Sequence, residues 1–397
     1  MSDVAAGNPE FEFLLKCITS GNLSAGHASV QHLAWDTVSA LAAWHGVDPP
    51  LFEALQDATA VLPQDFYQAL RSRCHAITAN NLRLSGDLLT LSTELSIERI
   101  SHLVYKGPLL AMQLYGNVAA RTSSDLDIVV RESDISRAAS CLERLGYSDV
   151  NGFSAEQRAA AFHYGFEHSF QHENGTVVDL HRRIVPEFVA CRLDAEGFWK
   201  RAVSARLFGK DLLTFSPADS LFVLCLHAAQ HDWLHLCLFR DIAAQLTVTP
   251  DLDWDVVLAQ LTDSHIEHSV LVALAITNRY WGASLPEEVV RLIKNHQHID
   301  GIVETLRNDL WPSMTNPGAP QTDMRWLLRR TQGERVRDRF RYIAGMVAGP
   351  TKADFDAVAL SRPFLVLYPA VRFFRLLHKR GRHALEHFRQ GAHVSAP

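Results

Sequence analysis

Several absences narrow what this chain can be. Its 397 residues contain no C-x-x-C pair, and six cysteines (Cys17, Cys74, Cys141, Cys191, Cys225 and Cys237) lie scattered along it. This spacing argues against a zinc knuckle or a disulfide framework, so the thiols read as small buried hydrophobes. No apolar run is long enough to span a bilayer and Met1-Ser2-Asp3 begins no secretory signal, so the expected location is cytoplasmic. Internal repeats and low-complexity tracts are missing as well. An excess of cations is also lacking, since the net charge is −6, which disfavours general nucleic-acid binding. The charge is nevertheless unevenly spread, with arginine-rich stretches from Arg325 to Arg341 and from Arg372 to Arg389.

What is present is an ordinary globular composition, 47% apolar and 21% charged, in a chain long enough for two or three domains. From Phe11 to Glu98 apolar residues recur every three or four positions: Leu14, Leu15 and Ile18; Leu33, Val38 and Leu41; Phe66, Leu70 and Ile77. That period predicts helices. Near Ser101 the pattern changes. Ser101 to Tyr105 reads as a short strand, Leu109 to Tyr115 as a brief helix, and Leu126 to Val130 as a second strand. A helix carrying Ala138, Leu142 and Leu145, capped at Ser133 or Asp134, ends at Gly146. Glu167 to His172 and Thr176 to His181 form a predicted hairpin around Asn174-Gly175. From Pro217 the chain returns to helix, over Ala218–His231, Leu236–Leu246, Trp254–Leu261 and Ser269–Trp281. A break at Pro312 to Pro320 reads as a linker before amphipathic segments Asp323–Val347 and Phe364–Phe388. The expected class is α+β, a small mixed β-sheet flanked by N-terminal and C-terminal helical regions. The expected divisions are 1–97, 98–215, 216–311 and 312–397.

The residues that bear chemistry cluster in the middle third. Asp125 and Asp127 are separated by one residue at the start of a β-branched strand, a spacing that puts two carboxylates on one face. Such a pair suits Mg²⁺ or Mn²⁺, which take one or two protein carboxylates and complete their shell with water and phosphate oxygens. It would equally suit a strand start with two solvated acids. Asp179 adds a third acid on a strand that could pair beside the first, unless it serves Arg182 or Arg183. Three acids so placed suit phosphoryl transfer, with one accepting a proton. Lys106-Gly107 opens a helix, where backbone N–H groups and the helix dipole meet an anion. Arg121 lies four residues before Asp125 and could reach the same phosphates, or both cations could be solvated.

Taken in order, Lys106-Gly107, Leu114-Tyr115, Arg121, Asp125-Leu126-Asp127-Ile128-Val129-Val130 and Val178-Asp179-Leu180-His181 resemble the uncharacterised nucleotidyltransferase family of the polymerase-β-like superfamily, related to aminoglycoside nucleotidyltransferases. Ala79-Asn80-Asn81-Leu82, Leu226-His227-Ala228-Ala229-Gln230-His231 and Phe239-Arg240-Asp241-Ile242-Ala243 extend the resemblance. It implies an enzyme with Asp125, Asp127 and Asp179 as metal-binding acids, Mg²⁺ or Mn²⁺ as cofactor, and a glycine turn holding an NTP such as ATP. An acceptor hydroxyl would attack the α-phosphate and leave a nucleotidylated product and pyrophosphate. The superfamily's glycine-serine turn is here Lys106-Gly107-Pro108, so Lys106 or Ser123-Ser124 would stand in for the missing serine. The acceptor class stays open among a small molecule, a peptide natural product and a saccharide. A catalytically silent nucleotide-binding or antitoxin-like module and a metal-dependent phosphohydrolase are rival readings.

Three further groups stand beside these. His227, His231 and His235 fall four apart and, with Asp241 nearby, read as the acceptor side of a cleft, zinc being the lesser alternative because no Glu accompanies them. His163, His168, His172 and His181 crowd the hairpin, where His181 is two residues beyond Asp179. The basic and aromatic run from Phe364 to Arg380 could meet an anionic membrane or an acidic partner, or simply dock its apolar side on the core.

Overall fold

The three-to-four spacing of the N-terminal apolar residues closes into helices. The computed structural model describes residues 8–20, 32–184, 193–264, 266–315, 344, 349–360 and 362–377. Helix α1 (Pro9–Ser20) buries Phe11, Leu14, Leu15 and Ile18, and α2 (Trp35–His45) buries Val38 and Leu41. In α3 (Asp48–Leu55) a proline sits in the first turn, where no intrahelical N–H is required of it. The 34-residue α4 (Gln64–Ile97) lines up Leu84, Leu88, Leu91 and Leu95 on one buried stripe.

The middle third is α/β. Its elements are β1 (His102–Val104), α5 (Gly107–Tyr115), β2 (Leu126–Val130), α6 (Ile135–Arg144), β3 (Tyr147–Asp149), α7 (Ala155–Tyr164), β4 (Glu167–His172) and β5 (Val177–His181). Strands β1 to β5 make a mixed five-stranded sheet. After α8 (Ala195–Arg201) come a separate hairpin, β6 (Val203–Leu207) and β7 (Lys210–Thr214), and then helices α9 (Pro217–Gln230), α10 (Leu236–Val248), α11 (Trp254–Ser264), α12 (Glu267–Trp281), α13 (Glu287–Asn295) and α14 (Ile299–Thr305). The class is therefore α+β, with helices flanking the sheet. No helix among the described residues is long and apolar enough to cross a membrane.

The chain divides into two compact units. The first comprises residues 1–129 and 191–335 and holds β1 beside β2, the β6–β7 hairpin and most of the helices. Its centre is α12, whose residues from His268 to Thr277 are all buried and which lies against α9, α10 and α14. The second comprises residues 130–190 and 336–397. In it β5, β4 and β3 pair antiparallel, with Ser169 opposite Asp179 and Phe170 opposite Val178. Phe153, Ala160, Ala161, Phe355, Leu365 and Tyr368 form its local core.

The Asn174-Gly175 turn forms as the sequence predicts: Gly175 has φ +88°, and Asn174 Oδ1 accepts from Thr176 N at 2.9 Å. Gly146, also at φ +88°, closes α6. The elements not anticipated include β3, α7 and the β6–β7 hairpin. Strand β3 is only three residues long. Helix α7 starts on a capping box of Ser154 and Gln157, a signal present in the sequence. The β6–β7 turn places Phe208 at φ +46° before Gly209 at +83°, so a bulky residue occupies a position where Asn or Asp would have announced the turn. Cys191, most of the linker region and the helix expected over 323–347, apart from residue 344, lie outside the described residues. Of the segment expected over 364–388, residues 364–377 are described and continue into helix from Tyr368.

Candidate active site

Strand β2 carries the acidic pair. All five of its residues are buried, Asp127 among them at 4% exposure, while Asp125 sits half-buried one position before the strand. A carboxylate this deep needs compensation. It comes from Lys106, whose Nζ lies 3.0 Å from Asp127 Oδ1, with both side chains nearly buried. The hydroxyl of Tyr105 approaches the same oxygen at 3.4 Å, and the lysine ammonium stands 4.7 Å from the Tyr105 ring centroid. The expectation had placed Lys106 on phosphate; here its ammonium lies on one of the acids expected to bind metal.

The turn after Lys106 is shaped for close approach. Gly107 opens α5 at φ +64°, and a Cβ there would lie 3.3 Å from the backbone oxygen of Asp125. Glycine thus lets the start of α5 sit directly against the acidic segment. The first-turn amides of a helix have no intrahelical acceptor, which leaves this end suited to an anion.

The loop from Gly116 to Ser124 is held from two helices. Asn80 and Asn81, in the interior of α4 where asparagine is a poor helix former, spend their amides on it. Asn80 Nδ2 donates to Ser123 O at 2.8 Å, and Asn81 Nδ2 donates to Val118 O at 2.6 Å and Arg121 O at 2.7 Å. From α10, Arg240 Nη1 donates to Ala120 O at 2.7 Å while its guanidinium stacks 4.0 Å over Tyr115. Ser123 is buried and accepts from Arg121 Nη1 at 3.3 Å; Ser124 is exposed.

Arg121 and Asp241 meet each other. Arg121 Nε donates to Asp241 Oδ2 at 2.7 Å, and the Tyr115 hydroxyl donates to Oδ1 at 2.7 Å. Burial works against the Arg121 charge, but Asp241 outweighs it and raises the guanidinium above its usual value. Burial and then the Asp241 charge push the Tyr115 phenol well above its ordinary range. Asp241, expected on the acceptor side, is therefore the anchor of a buried Arg–Asp–Tyr knot.

The three histidines form a row, though not on one helix face. Helix α9 ends at Gln230, Asp232 and Trp233 adopt positive φ (55° and 57°), and His235 is the extended residue just before α10. This left-handed turn still brings the rings together: His227 and His231 centroids are 4.5 Å apart, and His231 and His235 are 6.0 Å apart. Burial, then Lys106 and His231, hold His227 well below its ordinary value. Burial, then His235 and Lys106, lower His231 to about 4. In both cases Asp127 pulls the other way, so the row lies within electrostatic reach of the Lys106–Asp127 pair. At neutral pH these imidazoles are uncharged, each with one donor and one acceptor nitrogen.

In the second unit, Asp179 stands on β5. Its Oδ1 is buried and accepts no hydrogen bond among the described residues. His181 Nδ1 lies 3.3 Å from Glu167 Oε2, and His168 Nε2 lies 2.6 Å from Asp149 Oδ2. Among the described residues no group of three or more His, Cys, Asp or Glu side chains is arranged to hold a metal ion. The donor chemistry still fits Mg²⁺, which needs only one or two protein carboxylates when phosphates complete its shell. Asp127 is a buried hard anion that already holds a cationic ammonium.

The sequence assigns no site role to Tyr105 or Tyr115, although Tyr115 lies within a quoted motif and Tyr105 beside one. Their roles depend on Asp127 and Asp241, partners distant in sequence that no local pattern discloses.

Residues 31–282 match the family model described as uncharacterised nucleotidyltransferase. Among solved structures, the chain is similar to the antibiotic-resistance factor ANT(2″)-Ia in solution at 13% identity and TM-score 0.32, over 50% of this chain and 99% of that one. It is also similar to an antigenic nucleotidyltransferase-like protein from Paracoccidioides brasiliensis at 15% identity and TM-score 0.30, over 56% and 92% of the two chains. Neither structural similarity bears on substrate. No curated protein matches.

Proposed function

Because the chain belongs to the uncharacterised nucleotidyltransferase family, we propose that it transfers a nucleoside monophosphate from an NTP to an acceptor hydroxyl in a Mg²⁺- or Mn²⁺-dependent reaction. The observation that carries this reading is the Lys106–Asp127 pair at the glycine turn: a buried acid and a buried ammonium at the start of a helix, with Asp125 one position before the same strand.

Asp125 and Asp127 would hold the metal, and the family resemblance alone assigns Asp179 as the third acid. The bound ion would neutralise triphosphate charge. Lys106, once drawn off Asp127, supplies an ammonium to the phosphates, and the amides after Gly107 receive a phosphate oxygen. Arg121 keeps Nε on Asp241 and holds the Ser123 hydroxyl with Nη1 rather than acting alone. His227 and His231, uncharged at neutral pH, line the acceptor side. In the reaction the acceptor oxygen forms a bond to the α-phosphorus while the bond from that phosphorus to the bridging oxygen breaks. Pyrophosphate leaves, and the acceptor proton passes to a carboxylate, for which Asp179 is the assigned base. The acceptor is a hydroxyl compound: a small molecule, a peptide natural product or a saccharide.

The test is incubation of the full chain with α-labelled ATP, CTP, GTP and UTP and Mg²⁺ over a panel of hydroxyl acceptors, followed by mass analysis of protein and small molecules. A nucleotidylated acceptor or self-modified protein, with pyrophosphate, is the expected result, and Asp127→Asn abolishes it. Free NMP formed without any adduct would support a phosphohydrolase instead, and intact NTP with every acceptor would support a silent nucleotide-binding module.

A further inference from the structure

Six large apolar residues between positions 364 and 377 face solvent: Phe364, Val366, Leu367, Phe373, Phe374 and Leu377. Val366, Phe374 and Phe373 are 70%, 66% and 63% exposed. Isolated exposed apolar residues are ordinary, but a contiguous set is not.

Their arrangement follows from how this segment is docked. Leu365, Tyr368 and Val371 turn inward onto Phe153, Ala161 and Phe355, and the Tyr368 hydroxyl donates to Val358 O at 2.8 Å. The two arginines of the helix are used inward as well. Arg375 Nε lies 2.6 Å from Asp354 Oδ1, and Arg372 Nη1 lies 3.2 Å from Oδ2. Burial disfavours the Asp354 charge, but the two guanidiniums and Thr351 overcome it and bring the carboxyl to about 2. An ordinary surface helix turns its charges to water and its apolar side to the core. Here the inward face is apolar with buried ion pairs, and the outward face (Val366, Leu367, Phe373, Phe374 and Leu377) follows the helical repeat with no charge on it.

The sequence says what would cover that face. Residues 372–382 contain five Lys or Arg and no acid, and of the described ones Arg372 and Arg375 pair with Asp354. Lys379, Arg380 and Arg382 follow directly after the exposed aromatics, in a chain whose overall charge is −6. A second copy paired through this same face would set one basic run against another, since residues 372–382 hold no acid. An anionic lipid surface offers both an apolar boundary for Phe and Leu and phosphate and carboxylate headgroups for Lys and Arg. We propose that the face of residues 366–377, together with the basic run that follows, docks the protein on a membrane surface rich in anionic lipid.

The test is co-sedimentation of the full chain with vesicles of phosphatidylcholine alone and of phosphatidylcholine with phosphatidylserine. Binding is expected to the second and not the first, and to fall with salt. F373S/F374S, which alters only exposed side chains, should weaken it roughly 10-fold or more. K379Q/R380Q/R382Q should weaken it roughly 100-fold. Failure to sediment with the anionic vesicles would overturn the proposal, as would F373S/F374S binding like the parent. A concentration-dependent dimer that F373S/F374S disrupts, without vesicle binding, would assign the face to a second copy instead.

Discussion

A buried lysine is tolerated where it meets an anion, and Lys106 meets Asp127. Lys106→Met keeps the aliphatic stem and removes the charge, so the carboxylate stays in the interior without its ammonium. The expected cost is about 3 kcal/mol of stability, read from urea denaturation. Mg²⁺ should stabilise the Met variant more than the parent, because the ion would no longer displace a lysine. Equal stability of variant and parent, with no Mg²⁺ effect, would show that Asp127 carries no charge needing a cation. At this scale the sequence disclosed residue types better than partners. Asp125, Asp127 and Lys106 announce themselves by spacing and by position at a strand end. Nothing local shows that Lys106 will sit on Asp127, 21 residues away, or that Arg121 will bind Asp241, 120 residues away. Those pairings come from long-range folding.

At the scale of elements, the glycine at the start of α5 is a geometric requirement. It has φ +64° and lies where a Cβ would press on the Asp125 carbonyl at 3.3 Å. Gly107→Ala is expected to cost about 1–2 kcal/mol and to push the start of α5 away from the acidic segment. Nucleotide affinity should therefore fall more than overall stability suggests, which fluorescence titration beside a urea curve would reveal; unchanged affinity would separate this turn from the nucleotide. Elements with periodic apolar spacing or glycine turns were legible: α1, α4, α9 to α12, β2, and the hairpin closed by Gly175. The β6–β7 hairpin was not, because Phe208 takes a left-handed conformation that its residue type hides. The histidine row illustrates both outcomes. A four-residue spacing suggests one helix, whereas a left-handed turn at Asp232-Trp233 breaks the helix and still lines up the rings.

Over the whole molecule, the α+β class was legible because strand-like periods are confined to a middle stretch with helical stretches on either side. The partition into two units was not, since each is assembled from two stretches far apart in sequence, and local patterning says nothing about such joins. The family fits the site's chemistry: a buried acid with a cationic partner, a glycine turn that opens a helix, and uncharged imidazoles nearby. The central claim is that the acidic segment before and within β2 binds an NTP through a divalent cation. Equilibrium binding of α-labelled NTPs to the full chain, in Mg²⁺ and in chelator, with the parent and with Asp125→Asn, tests it most directly. The account predicts binding in Mg²⁺ that chelator removes and that Asp125→Asn weakens by roughly 10-fold or more, consistent with losing one charged ligand. Binding that is equally tight in chelator, or untouched by Asp125→Asn, would contradict it.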